Sequence, residues 1–321
     1  MRIAASPIVL IVALLACFGV NALTGKMNAY YVDVALNVGI AIVMAVSLNL
    51  INGYTGQFSL GHAGFMAIGA YGAAAVTKFA GPKLLPMFSF LGQAGGQAAV
   101  FFLALLLGGT VAALAGFLVG APSLKLKGDY LAIVTLGFGE IISVIFRNVP
   151  ALGGALGLTG IPNYTNLFWA FGAAAVTIYV VLAMVHSTYG RGFIAVHDDE
   201  VAAQAMGINT TRYKIIAFVV GAFFAGVGGG LFGHSKMSIT PTGFGFMLSI
   251  EYVVMVILGG MGNTFGVILA AVLLTLLPEA LRSLADYRMI IYSVALILLM
   301  LTRPQGLFNF RRPSWLKRRT A

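Results

Sequence analysis

Charge is scarce in this sequence: of its 321 residues only 9% are Asp, Glu, Lys or Arg, whereas 60% are hydrophobic. Soluble domains carry about 25% charged residues, so a chain of this length cannot cover a water-facing surface with so few. Cysteine occurs once, at Cys17, which rules out an internal disulfide. The composition therefore predicts a membrane protein.

Motifs that carry catalytic chemistry are also absent. The chain has no Gly-x-x-x-x-Gly-Lys-Ser/Thr phosphate loop, so it lacks the usual cradle for ATP. It has no metal-binding cluster of histidines and no paired-carboxylate motif. Its net charge of +10 comes without interleaved aromatic residues, so nucleic acid is not an expected partner. We expect no enzyme activity, no metal and no cofactor.

Long apolar runs are abundant instead. A helix needs about 20 apolar residues to cross a hydrocarbon core of about 30 Å, and backbone groups in lipid must be bonded within the helix. The sequence predicts an all-α, polytopic transmembrane helix bundle of about ten spans, in a single domain over residues 1–321. The predicted spans are residues 7–24, 30–51, 57–79, 97–120, 129–147, 166–186, 213–233, 246–260, 262–282 and 287–302.

Two features of these runs need an explanation. Many of the 41 glycines lie inside spans, where small residues let helices approach closely. The Gly-rich stretch 259–263 between two predicted spans is either a tight turn or an interruption within the membrane.

The distribution of basic residues predicts the orientation. The tail 303–321 is strongly basic and should be cytoplasmic, where it can also touch anionic lipid. With ten spans, the loop 187–212 falls on the same side.

The loop 187–212 holds three of the nine acidic residues, and its pattern is that of a short helix of about two turns outside the membrane. Asp198 is positioned to cap the helix, and Asp199 and Glu200 suit its positive N-terminal end. Gly207 is a natural stop, and Thr210 or Thr211 is expected to cap the following span.

This short helix exposes apolar residues that have no lipid to enter, among them Val201, Ala202 and Met206. Two interpretations follow from the pattern alone. Either the helix docks into a soluble subunit, or it lies on the bilayer or against the bundle.

A second segment, Gly53–His62, brings polar side chains to the start of an apolar span. Irregular backbone at membrane depth is tolerated only where protein or a water-filled cavity satisfies it. The segment is therefore predicted to line a translocation path, through Tyr54, Gln57, Ser59 and His62. The alternative is a helix start capped by Thr55 or Ser59, with His62 bonded inside the bundle.

Two carboxylates, Glu140 and Glu251, fall within predicted spans. Charge in a membrane is costly, so such residues usually face the bundle interior and have a partner. They are candidates for the translocation path, and structural hydrogen bonding is the alternative; Glu140 could reach His62 or Arg147.

Glu200–Gly207 resembles the Glu-x-Ala-Ala-x-x-x-Gly coupling element of ABC importers. Seven further blocks run in order along the chain: Gly53–Phe65, Ala205–Asn209, Thr211–Lys214, Ser249–Tyr252, Gly259–Gly262, Leu276–Glu279 and Arg303–Leu307. Together these blocks resemble the LivM-type branched-chain amino acid permeases of ABC transporters.

The resemblance implies a permease like those of type II importers, in a bacterial inner membrane. Its implied partners are a second homologous permease, two ATP-binding subunits that bind and hydrolyse ATP, and a periplasmic solute-binding protein. It implies an ATPase-coupling set made of Arg191, His197, Asp198, Asp199, Glu200, Ala202, Ala203 and Gly207.

Three positions depart from the family pattern. In the outer loop, Leu152 stands where the family commonly has Thr, and Leu156 where it often has Asn. His197 stands where the family commonly has Arg. These departures leave the cargo open between branched-chain amino acids and the urea or aromatic solutes of related permeases. A stand-alone carrier or channel is the alternative of a different class.

Overall fold

The computed structural model describes residues 7–23, 28–123, 128–284 and 287–302, together with Gly306. These residues form a helical bundle. The α-helices are α1 (Pro7–Leu23), α2 (Ala29–Asn49), α3 (His62–Ala75), α4 (Gly81–Leu84), α5 (Gly92–Ser123), α6 (Asp129–Arg147), α7 (Leu167–Val185), α8 (Thr188–Asp198), α9 (Glu200–Ala205), α10 (Thr210–Lys236), α11 (Phe246–Gly259), α12 (Thr264–Ala280) and α13 (Arg288–Thr302).

Shorter elements join the helices. Two π-helical turns, Leu50–Tyr54 and Val76–Ala80, extend α2 and α3. Turns of 3-10 helix occupy Pro86–Leu91, Pro150–Leu152, Gly154–Leu156, Pro241–Phe244 and Leu281–Leu284. Strands β1 (Leu158–Thr159) and β2 (Ser238–Ile239) pair antiparallel, with Leu158 opposite Ile239.

The prediction of an all-α, multi-pass bundle is confirmed, and each predicted apolar run contains a helix. Within the described residues, seven helices are long and apolar enough to cross a membrane. Of the ten predicted spans, seven contain a helix of spanning length. The other three contain shorter helices: α1 and α12 have 17 residues each and α13 has 15. The basic tail 303–321 lies outside the described residues, apart from Gly306.

The helices α2, α3, α5 and α10 form the centre of the bundle. Their close packing depends on glycine, as the sequence predicts. A Cβ atom built on Gly69 of α3 would lie 2.1 Å from the carbonyl oxygen of Gly226 on α10. The two backbones therefore touch directly, which is how small residues stabilise helix pairs in membranes.

Replacing Gly69 with alanine is expected to lower the Tm of the detergent-solubilised protein, because α3 must move away from α10 to admit the methyl group. The cost is of the order of 1–3 kcal/mol. Gly137→Ala is the matched control, since a Cβ there meets no atom within 4 Å. Equal Tm values for the two variants would contradict the direct backbone contact.

The bundle has two ends, which we name by their secondary structure. The strand end carries β1 and β2, and two pairs that join the helix ends there. Lys236 Nζ lies 2.8 Å from Asp33 Oδ1, and the Tyr30 hydroxyl donates to Glu279. This end contains the start of α2 and the ends of α10 and α12.

The opposite end, the α9 end, contains α8, α9, the start of α10 and the turn between α11 and α12. The Gly262 N–H donates to Asn49 Oδ1 at 2.9 Å, which places this turn beside the end of α2. The Gly-rich stretch is thus a tight turn between two helices. A Cβ on Gly306 would lie 2.6 Å from the backbone of Gly260, so the described residue of the tail also lies at the α9 end.

Candidate functional site

The short helix predicted in loop 187–212 is α9, and it begins one residue later than expected. The side chain of Asp199, not Asp198, caps it: Asp199 Oδ1 accepts the N–H groups of Val201 at 2.8 Å and Ala202 at 3.0 Å. Asp198 instead ends α8, with its carboxylate 3.3 Å from the ring of His197. Local sequence could not separate two adjacent aspartates of equal capping strength.

The end of α9 confirms the role predicted for Gly207. Its φ of +81° is left-handed, its N–H donates to Gln204 O at 2.9 Å, and the next N–H, of Ile208, donates to Ala203 O at 3.0 Å. This is the geometry of a glycine helix stop. The prediction that Thr210 or Thr211 caps the next helix is wrong, because the side chain that accepts from its first turn belongs to Asn209.

The loop also contains α8, an eleven-residue helix before α9 that is an addition to the single short helix predicted there. Gly190 and Gly192 lower the helix propensity of this segment, so local sequence does not predict a helix here. The detectable signal was the apolar pair Phe193 and Val196, spaced for one helix face, and both side chains are buried. Arg191 lies on the exposed side.

The outward face of α9 is apolar and exposed. The side chain of Val201 is 65% exposed and that of Met206 is 83% exposed. Ala202 is also exposed, whereas Ala203 is turned inward and buried. A helix that holds apolar side chains out at a polar end of the bundle offers a surface for another protein.

An ion pair holds α9 against the start of α10. Lys214 Nζ lies 2.8 Å from Glu200 Oε2, with the two side chains 8% and 21% exposed. Thr210 Oγ1 donates to Glu200 Oε1 at 3.3 Å and accepts from Gln204 Nε2 at 2.9 Å. The first helical residue of α9 is therefore fixed to the first two turns of α10.

Replacing Lys214 with methionine is expected to loosen α9, because the variant removes the ion pair between Lys214 and the shielded carboxylate of Glu200. The amides of α9 should exchange with deuterium faster by about one to two orders of magnitude, corresponding to about 1–3 kcal/mol. Lys236→Met breaks an ion pair that is 31% and 47% exposed, so it serves as the control. Unchanged exchange in the Lys214 variant would contradict the anchoring role.

The segment Gly53–His62, predicted to line the path, does not begin a helix at residue 57 as expected. Leu50–Tyr54 is a π-helical turn, residues 55–61 are irregular, and α3 begins at His62. Neither Thr55 nor Ser59 caps α3; instead Ser249 Oγ, from α11, accepts the N–H of Ala63 at 3.1 Å.

The polar side chains of this segment are inside the protein at the α9 end. Gln57 is 3% exposed, and Ser59 and His62 are fully buried. His62 Nε2 lies 2.9 Å from Ser47 Oγ, which is the internal bonding that the sequence left open as an alternative. Tyr54 is half-buried, with its hydroxyl 2.8 Å from Thr264 Oγ1.

Glu140 and Glu251 lie elsewhere, on α6 and α11, and both side chains are exposed. The expectation that they face the bundle interior is wrong for this chain by itself. Neither makes a hydrogen bond or ion pair within the part of the chain that the structure describes, and Arg147 donates to Ser143 at 3.2 Å rather than to Glu140. A Cβ on Gly245, just before α11, would lie 4.0 Å from Glu140 Oε1.

The helix α5 provides a comparison, because its exposed side carries large apolar residues. On α5, Val111, Leu114 and Leu118 are 47–71% exposed, and no charged residue lies on that helix. Such a face suits lipid, whereas the two carboxylates make the α6 and α11 face unsuitable for it. At the strand end, Leu156 is 87% exposed and Leu152 is half-buried. No group of three or more potential metal ligands occurs among the described residues.

Comparison with known proteins gives several matches. The family described as "Branched-chain amino acid transport system / permease component" matches residues 30–302. The high-affinity branched-chain amino acid transport system permease protein LivM of Salmonella typhimurium is 35% identical over 318 residues, which is 88% of this chain and 71% of that protein. LivM of Escherichia coli K12 is 34% identical with the same coverage.

A second kind of permease protein from the same transport system is also similar. LivH of Escherichia coli K12 is 28% identical over 190 residues, which is 52% of this chain and 61% of that protein. No solved structure matches the chain.

Proposed function

The chain belongs to the family of permease components of branched-chain amino acid transport systems, and from this premise we propose that it is one of two permease subunits in an ATP-driven importer. It forms half of a translocation path through a bacterial inner membrane. The observation that carries the proposal is the exposed apolar face of α9, held in place by the ion pair between Glu200 and Lys214.

A second permease is the first partner. The relatives include both LivM and LivH, two permease proteins of one transport system, so a homologous pair of permeases supports this assignment. Glu140 and Glu251 support it as well, because exposed carboxylates within spans need a hydrated path or a protein surface beside them. We assign both to the path that the two permeases enclose.

Two ATP-binding subunits are the second set of partners, and ATP is bound there rather than in this chain. They dock at the α9 end, on Val201, Ala202 and Met206. Polar and charged residues around this apolar face complete the docking surface: Arg191, His197, Asp198 and Asp199. Closure of the ATPases moves α9 and shifts the bundle between two orientations of the path.

The α9 end is then cytoplasmic. The basic residues of the tail support this orientation, and so does the position of Gly306 at that end. The strand end faces a periplasmic solute-binding protein that delivers the cargo. Branched-chain amino acids are the proposed cargo; a urea or aromatic solute is the second candidate, because Leu152 and Leu156 replace polar residues common in the family at this end.

The proposal is tested by purifying the chain with its candidate partners and measuring leucine uptake into proteoliposomes. We expect the second permease and both ATPases to co-purify, and uptake to need ATP and the binding protein. Equal uptake by this chain alone, without ATPases, would replace the proposal with a stand-alone carrier. A screen of solutes on the binding protein decides the cargo.

A further inference from the structure

The α9 end contains a contact between two segments that the sequence treats as separate sites. The irregular stretch Thr55–Phe58, between α2 and α3, lies against the junction of α8 and α9. A Cβ on Gly56 would lie 3.0 Å from Cδ2 of His197 and 3.5 Å from its Cα. Gly56 also has a φ of +66°, which a larger residue rarely adopts. Backbone and imidazole ring are therefore in direct contact here.

A buried side chain makes the second link. Gln57 Nε2 donates to Thr55 Oγ1 at 2.7 Å and to the carbonyl oxygen of Lys214 at 3.4 Å. Lys214 is the residue whose ammonium group holds Glu200 of α9. Thr55–Phe58 thus contacts the two elements that adjoin α9: His197 at the end of α8, and Lys214 on α10.

Hydrogen bonds also connect this stretch to the end of α2 and the start of α3. The Gln57 N–H donates to Ile51 O at 3.1 Å, in the π-helical turn that extends α2. Asn52 and Ser59 are joined by two hydrogen bonds, of 3.2 and 3.5 Å, just before α3 begins. Displacement of Thr55–Phe58 must therefore act on the ends of α2 and α3.

The polar groups of the same region are incompletely bonded. Among the described residues, four buried polar atoms here have no hydrogen-bond partner: Asn49 Nδ2, Gln57 Oε1, Ser59 Oγ and His62 Nδ1. Buried polar groups are nearly always bonded, so this concentration of exceptions needs a structural or functional explanation. π-Helical turns such as Leu50–Tyr54 are also frequent at functional sites.

We propose that Thr55–Phe58 is the relay through which movement of α9 reaches α2 and α3, with Gly56 and Gln57 as its positioning residues. The inference rests on the proposed function, in which ATPases dock on α9. It assigns a task to Gln57 different from lining the path: its amide keeps the relay moving with Lys214. The relay and the α8–α9 junction then move as one body during transport.

The test compares uptake with ATP hydrolysis in the reconstituted complex. Gln57→Leu replaces the amide with an uncharged apolar side chain and so removes both amide hydrogen bonds. We expect ATP hydrolysis to stay within about twofold while the uptake per ATP falls about tenfold, within the usual range of coupling energies. Gln97→Leu, at the start of α5 and away from the α9 end, is the control with an unchanged ratio. A normal ratio in the Gln57 variant would overturn the relay.

The outcomes separate the relay from the proposed function. If the unmodified chain does not co-purify with ATPases, the proposed function fails. If it does, and Gln57→Leu remains fully coupled, only the relay fails.

Discussion

Glutamate in place of Ala203 is expected to reduce ATP-driven uptake at least about tenfold, because its charge cannot be buried against the bundle without a cost of several kcal/mol. Ala203 is 4% exposed and is the buried residue of α9, so the longer side chain displaces α9 from the helices against which it packs. Measured in proteoliposomes with the ATPases present, hydrolysis should continue without uptake. Uptake equal to that of the unmodified chain would remove α9 from the coupling pathway.

The neighbouring position provides a matched variant with a different expected result. Ala202 is exposed, so Ala202→Glu should leave the Tm of the chain unchanged while weakening the contact with the ATPase. The two variants thus distinguish the inner face of α9, which packs on the bundle, from its outer face, which is proposed to contact the ATPase. If Ala202→Glu co-purifies with ATPases and transports normally, the outward face of α9 is not the docking surface.

Cysteine placed at Glu140 or Glu251 is expected to react with a membrane-impermeant maleimide at least about 100-fold faster than cysteine placed at Val111. The reactive species is the thiolate, which forms in a hydrated path but not against lipid. All three positions are exposed on the chain by itself, so exposure alone predicts no difference. The experiment uses the assembled complex in a Cys17→Ser background.

Equal labelling at the three positions would contradict the assignment of the α6 and α11 face to the path. Protection of all three would place Glu140 and Glu251 in a dry contact with the second permease instead. Replacement by leucine then gives a functional check: Glu251→Leu should lower uptake if the carboxylate lines the path and leave it unchanged if it only packs.

The sequence predicted the long helices and the presence of α9 because both depend on local patterns. Apolar runs longer than a bilayer and a glycine stop at Gly207 are visible without any tertiary contact. The N-cap was misplaced by one residue because Asp198 and Asp199 are chemically alike. The two aspartates differ in their tertiary surroundings, since Glu200, the residue after Asp199, forms an ion pair with Lys214 on α10.

The candidate path was harder to predict for a related reason. Gln57, Ser59 and His62 are polar and near glycines, which fits a pore wall and a buried turn equally well. Their burial depends on contacts with segments far away in sequence. Gln57 donates to Lys214 O on α10, and Gly262, in the turn after α11, packs against Gly53. Glu140 and Glu251 are exposed on this chain. What they face depends on a second subunit, which the sequence of this chain does not describe.

The helix α10 connects the two ends of the protein with one rigid element. It has 27 residues, so it is about 40 Å long, and its two lysines are bound at opposite ends, Lys214 to Glu200 and Lys236 to Asp33. β2 follows it directly at the strand end. Thermodynamic linkage is reciprocal: if a nucleotide-driven change at α9 alters affinity at the strand end, a protein bound at the strand end alters affinity at α9 by the same factor. In an importer built in this way, a solute-binding protein at the strand end and an ATPase at α9 would each alter the affinity of the chain for the other.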